Sequence, residues 1–88
     1  AEWKGIPVMP QASAGEESGG VYIYKVMATA AEVEDYYAAR LPSLGWKTEF
    51  SIPATSGIAI FMYSKDSQIL SITVTDQQDF LLIMIMLQ

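Results

Sequence analysis

Side chains able to do acid–base, nucleophilic or metal chemistry are few in this 88-residue chain, and the strongest classes are missing: there is no histidine and no cysteine. That removes Ser-His-Asp and Cys-His nucleophile systems, imidazole and thiolate zinc sites, and disulfides. Carboxylates gather twice. Glu32, Glu34 and Asp35 have the composition of an acid/base pair or a Ca²⁺ site. They also sit where a helix begins, and negative charge there complements the helix dipole. Asp76 and Asp79 flank Gln77-Gln78 without EF-hand spacing and read as a solvated turn. Met27, Met62, Met84 and Met86 offer thioethers, the soft donors of copper(I) sites, but methionine in a small core is ordinarily a gap filler. Tyr22, Tyr24, Phe61 and Tyr63 are a candidate stacking platform for sugars or bases. The RNP signature is absent, and cross-strand aromatic pairs stabilise any sheet. None of the serines lies in Gly-x-Ser-x-Gly or Ser-x-x-Lys, and residues 15–20 (GEESGG) lack the Gly-Lys-Ser/Thr ending of a phosphate loop. No catalytic, cofactor-binding or metal-ligating residue is expected, and the chain reads as non-enzymatic.

Positioning whatever this chain does therefore falls to its scaffold. Its length fits one domain, and 51% hydrophobic with 17% charged residues is a folding composition. Five Lys and Arg against ten Asp and Glu, a net charge of −5, argue against nucleic acid as a partner. The longest apolar run, Phe80 to Leu87, is eight residues. A membrane-spanning helix needs ~20, so no span is expected. The chain opens at Ala1-Glu2 rather than at Met, which reads as a processed form or a fragment.

Residues 1–20 read as an arm and 21–88 as a single α+β domain. Pro7, Pro10, Gly15, Gly19 and Gly20 keep the arm irregular, with residues 11–20 a mobile connection. Trp3, Ile6, Val8 and Met9 are apolar enough to lie on the folded body. Residues 21–28 are β-branched and aromatic and predict a strand. Thr29-Ala30-Ala31-Glu32 is a capping box, and Ala30, Val33, Tyr37, Leu41 and Leu44 form the buried stripe of a helix. Tyr36 and Arg40 flank that stripe, Pro42 predicts a kink or 3₁₀ finish, and Gly45 suits a left-handed terminator. Residues 46–52 alternate, with Trp46, Thr48, Phe50 and Ile52 expected inward, and Pro53 to Gly57 is expected to turn. Strands follow at 58–64, 69–75 and 80–87, joined by short turns.

The order β-α-β-β-β-β predicts a two-layer sandwich, one helix on an antiparallel sheet. Strand 80–87 is apolar on both sides and belongs in the interior, beside strand 21–28. The spatial order is then 21–28, 80–87, 69–75, 58–64, 46–52, with the last at an edge. One helix covers one face, yet strands 21–28, 58–64 and 80–87 offer apolar residues to both. Tyr22, Tyr24, Phe61, Tyr63, Ile83 and Ile85 form the candidate interaction face, because a contiguous exposed apolar patch is unusual on a monomer. Its occupant is the arm, with Trp3, Ile6 and Val8 as plugs, or another chain, whether a protein partner or a second copy, or a small apolar ligand.

Residues 6–12 (IPVMPQA), 32–46 (EVEDYYAARLPSLGW) and 60–74 (IFMYSKDSQILSITV) together resemble small bacterial domains of unassigned function, found in exported proteins and lipoproteins. The shared positions are a Pro-x-x-Pro-x-Ala arm and Val33, Tyr36, Tyr37, Leu41, Gly45 and Trp46. The resemblance implies an extracytoplasmic accessory or binding module and carries no catalytic residue. On this reading the protein is a binding or assembly module, with a carrier of a small apolar ligand between sheet and arm as the alternative.

Overall fold

The computed structural model describes residues 2–13, 15–55 and 57–88, the side chains of 53–55 excepted. Five long strands and a helix follow a folded arm. The arm contributes a miniature hairpin of β1 (Glu2–Trp3) and β2 (Ile6–Pro7). Its two turn residues, Lys4 and Gly5, have φ of 50° and 81°, the left-handed pair that a two-residue hairpin of this twist requires. β3 (Glu16–Ser18) and β4 (Val21–Val26) come next, then α1 (Ala30–Arg40), a 3₁₀ turn at Pro42–Leu44, and β5 (Lys47–Thr55), β6 (Ile58–Lys65), β7 (Gln68–Asp76) and β8 (Leu81–Leu87).

The sheet order is β3-β4-β8-β7-β6-β5, antiparallel throughout. The five long strands take the order that their apolar patterning predicts, with β8 interior between β4 and β7. The addition is β3: residues expected in a mobile connection pair with β4, Glu16 opposite Ile23 and Ser18 opposite Val21. The expected turn at Pro53 to Gly57 starts later, because β5 runs through Thr55; Ser56 lies outside the described residues.

α1 begins as the capping box predicts. Thr29 Oγ1 accepts from the Glu32 amide at 3.1 Å, and the Thr29 amide donates to the Glu32 carboxylate at 2.8 Å. Thr29→Ala removes one of these partners and is expected to cost about 1 kcal/mol in urea denaturation. Val33, Tyr37 and Leu41 are fully buried against the sheet. Leu44 departs from the expected stripe and is exposed, because Pro42 tightens the chain into 3₁₀ geometry and rotates it off the helical face. Gly45, with φ of 94°, then reverses the chain.

Alternation assigns two faces to the sheet. Tyr24 and Val26, Ala59, Phe61 and Tyr63, Leu70, Ile72 and Val74, and Leu81, Ile83 and Ile85 point toward α1 and are buried. Their neighbours Ile23, Ile60, Met62, Ser71, Thr73, Leu82, Met84 and Met86 point to the other side and are half-buried. β5 breaks the pattern its sequence predicts. The register shifts between Thr48 and Phe50, so Glu49 is the extra residue of a bulge. Phe50 thereby pairs with Met62 and Ile52 with Ile60, on the uncovered face, where they are 48% and 46% exposed. One inserted residue reverses the facing of everything after it. Thr48 is also exposed, leaving Trp46, just before the strand, as the buried anchor.

Candidate functional site

The arm packs on the same face as α1, and among the described residues nothing covers the other face. Trp3, Ile6, Val8 and Met9 are buried beside the helix. Trp3 stacks on Tyr22 with centroids 5.6 Å apart, and Tyr22 leans on Tyr24 at 6.2 Å. From the helix, Tyr36 donates to the Val8 carbonyl at 3.1 Å and meets Tyr37 edge-on at 5.1 Å. The hydroxyls of Tyr24 and Tyr37 share a buried 2.7 Å hydrogen bond. Sheet, helix and arm are thus joined through aromatic rings. Burial pushes the Tyr24, Tyr37 and Tyr63 hydroxyls above their ordinary value of 10.0; for Tyr24 the bond to Tyr37 and the Met9 backbone act in the opposite direction, and for Tyr63 the Glu34 carboxylate adds to the rise. The Trp3 indole Nε1 is buried without an acceptor among the described residues.

This geometry corrects the expected interaction face. Tyr24, Phe61, Tyr63, Ile83 and Ile85 are core residues, and Tyr22 is half-buried under Trp3. Trp3, Ile6 and Val8 do cover apolar sheet, but the covered side is the one α1 already occupies. The two alternating sets in β4, β6 and β8 are both apolar, so the pattern offered no means of telling which the helix would choose. The acidic positions are engaged locally: Glu32 in the cap, Glu34 accepting from Ser51 Oγ at 2.8 Å, and Asp76 accepting from the Gln78 amide at 2.8 Å. Met62, Met84 and Met86 lie on the open face, whereas Met27 follows β4 and is 76% exposed.

Where helix and sheet layers part, at the N-terminal end of α1, the structure has a half-open cleft of about 550 Å³. Val74 and Leu81, buried core residues, form its floor. Ala28, Thr29 and Ala30 form one wall, and Met27 and Phe80 an apolar lip. Asp76, Gln78 and Asp79 of the β7–β8 turn make a polar rim. Lys25 Nζ lies 4.9 Å from the Phe80 ring centroid and helps to hold the ring in place. Beyond the lip a second cleft of about 260 Å³ is lined by Gln11, Ser13, Lys25 and Val26. The size of the larger cleft suits a small ligand. Its electrostatics disfavour an anion, because the capping box engages donors at the helix start and the rim carries two aspartates.

Sequence reasoning missed this cleft. The sequence shows Asp76 and Asp79 as a turn, Phe80 as the start of a strand, and Met27 as a strand end or a thioether donor. No helix among the described residues is long and apolar enough to cross a membrane. Comparison with the curated proteins and with the solved structures finds no match. The START domain-like family matches residues 7–79, a span that takes in α1, the sheet from β3 to β7 and most of the cleft, and the chain belongs to that family.

Proposed function

We propose that this domain is a non-enzymatic binding module for a small amphipathic ligand. The ligand's apolar body enters the 550 Å³ cleft between the start of α1 and the β7–β8 turn. The observation that carries this reading is the cleft floor: Val74 and Leu81 bring the hydrophobic core itself to the base of an opening wide enough for a ligand. Membership of the START domain-like family supports a ligand-binding role. The rim sets the polar end: Asp76 and Asp79 favour a cationic or hydrogen-bond-donating group over a phosphate or carboxylate. The reading moves the carrier site from beneath the arm to the end of the helix, since the arm is packed against the sheet by Trp3, Ile6 and Val8. An extracytoplasmic setting belongs to the same proposal and rests on the resemblance of the arm and helix motifs alone.

The test uses two amphiphiles of equal chain length below their micelle concentrations, dodecyltrimethylammonium and dodecyl sulfate, followed by calorimetry and by amide chemical shifts. The cation is expected to bind more tightly, with shifts at residues 27–30 and 76–81. Ala28→Trp, which fills the cleft from its wall, should weaken binding at least tenfold while the protein stays folded. Equal binding by Ala28→Trp and the native chain, or shifts confined to other surfaces, would overturn the proposal.

A further inference from the structure

Among the described residues nothing covers the sheet face opposite α1, and it is largely apolar. It spans five strands, with Ile23 on β4, Met84 and Met86 on β8, Ile60 and Met62 on β6, and Phe50 on β5. Along the middle strand β7, Ser71 and Thr73 add a narrow band of hydroxyls. Five strands at ~4.8 Å spacing and about six residues at ~3.3 Å rise project to on the order of 500 Å² when flat. Side-chain relief raises that toward the ~800 Å² per partner of a standard interface, well above an incidental contact.

We infer that this face is the interface of a two-fold dimer in which two copies of the chain pack sheet against sheet. The pairing is self-complementary in shape and in charge. A two-fold axis running along β7 lays the β5 edge of one copy over the β3–β4 edge of the other. Ile52 stands in the same cross-strand row as Ile60, Thr73, Met84 and Ile23. The axis therefore brings the protruding Ile52 to the place where the β3–β4 edge has a shallow depression of about 390 Å³ lined by Ser13, Glu16, Ile23, Tyr24, Lys25 and Leu82. Each edge carries one acid and one base on this face, Glu16 and Lys25 at one, Glu49 and Lys47 at the other. Opposite edges can thus meet without net repulsion, and an apolar centre with a charged rim is the usual anatomy of a protein interface. Along the axis the β7 hydroxyls meet their own copies and can hydrogen-bond to one another.

The experiment is molar mass by light scattering across a hundredfold dilution of the native chain, Ile52→Lys and Met84→Lys. The native chain is expected to approach twice its 9.7 kDa mass at high concentration and to fall toward that mass on dilution. Ile52 is exposed at an edge, so its lysine variant keeps the monomer fold. Ile52→Lys should shift the dissociation midpoint upward by tenfold or more. Two results would overturn the inference: a native chain that is monomeric throughout, or an Ile52→Lys dimer as tight as the native one.

Discussion

Ile83→Asp is expected to abolish folding, while Met84→Asp, one residue further along β8, leaves the domain folded. Ile83 is fully buried against the helix side of the sheet, opposite Tyr24 on β4 and Val74 on β7. Aspartate there loses roughly 1.5–3 kcal/mol of isoleucine burial. It also adds several kcal/mol for an ionised or unsatisfied carboxyl with no partner. A domain of this size has a stability near the low end of the ~5–15 kcal/mol range, so the sum exceeds what is available. Met84 projects from the other face, between Ile23 and Thr73, and a carboxylate there meets water in the monomer. Urea titration followed by tryptophan fluorescence should give no cooperative transition for the first variant. The second should keep one, with a stability about 1–2 kcal/mol below that of the monomeric native chain, because Met84 is half-buried and part of its apolar burial is lost. Similar outcomes for both would mean that the two faces are buried alike in the monomer.

Alkali is expected to unfold this protein over a narrow range. The Tyr24, Tyr37 and Tyr63 hydroxyls are held above their ordinary value of 10.0 chiefly by burial. The folded state therefore keeps protons that the unfolded chain releases. The stability associated with that difference is fully present below pH 10 and is lost as the pH rises from there through the folded values. Tyr37, the most strongly raised, removes about 1.4 kcal/mol per pH unit above 10 while it stays protonated, and Tyr24 and Tyr63 act in the same direction. Phenolate absorbance should show these three ionising together with the loss of structure. Tyr24→Phe with Tyr37→Phe, which removes both ends of the 2.7 Å bond and so orphans neither hydroxyl, should change stability little at neutral pH and make its alkaline decline shallower. An unchanged slope in the double variant would show that the pair does not couple ionisation to folding.

Local signals in the sequence were legible where the chemistry is local. Thr29 and Glu32 announce the helix start, Pro42 and Gly45 its end, and the two-sided apolar run of β8 its interior place, which orders the long strands. Three features needed tertiary information. The alternation of residues 46–52 is unbroken in the sequence, and only pairing with β6 reveals that Glu49 is inserted and that Phe50 and Ile52 point away from the helix. Glu16-Glu17-Ser18 has no strand propensity of its own and is extended because β4 offers an unpaired edge. The choice between Tyr24 and Ile23 as the inward residue depends on the hydrogen bond to Tyr37 across the layers. The cleft was illegible for a related reason, since it exists only where the separation of α1 from β7 and β8 leaves Val74 and Leu81 under an opening.

The pairing of β4 with β8 also has a kinetic meaning. β5 to β8 are joined as successive hairpins, each closing a short loop. Val21, by contrast, finds Met86 from the far end of the chain, with α1 and the whole meander lying between them. Loop closure makes such distant contacts slow to form relative to neighbouring hairpins. The meander is then the part that assembles early, and β4 joins it late, bringing the arm through the Trp3–Tyr22 stack and the helix through the Tyr24–Tyr37 bond. In amide exchange the protons of β6 and β7 should be the last to be lost, with β3 and the β1–β2 hairpin opening first, in the reverse of that assembly order.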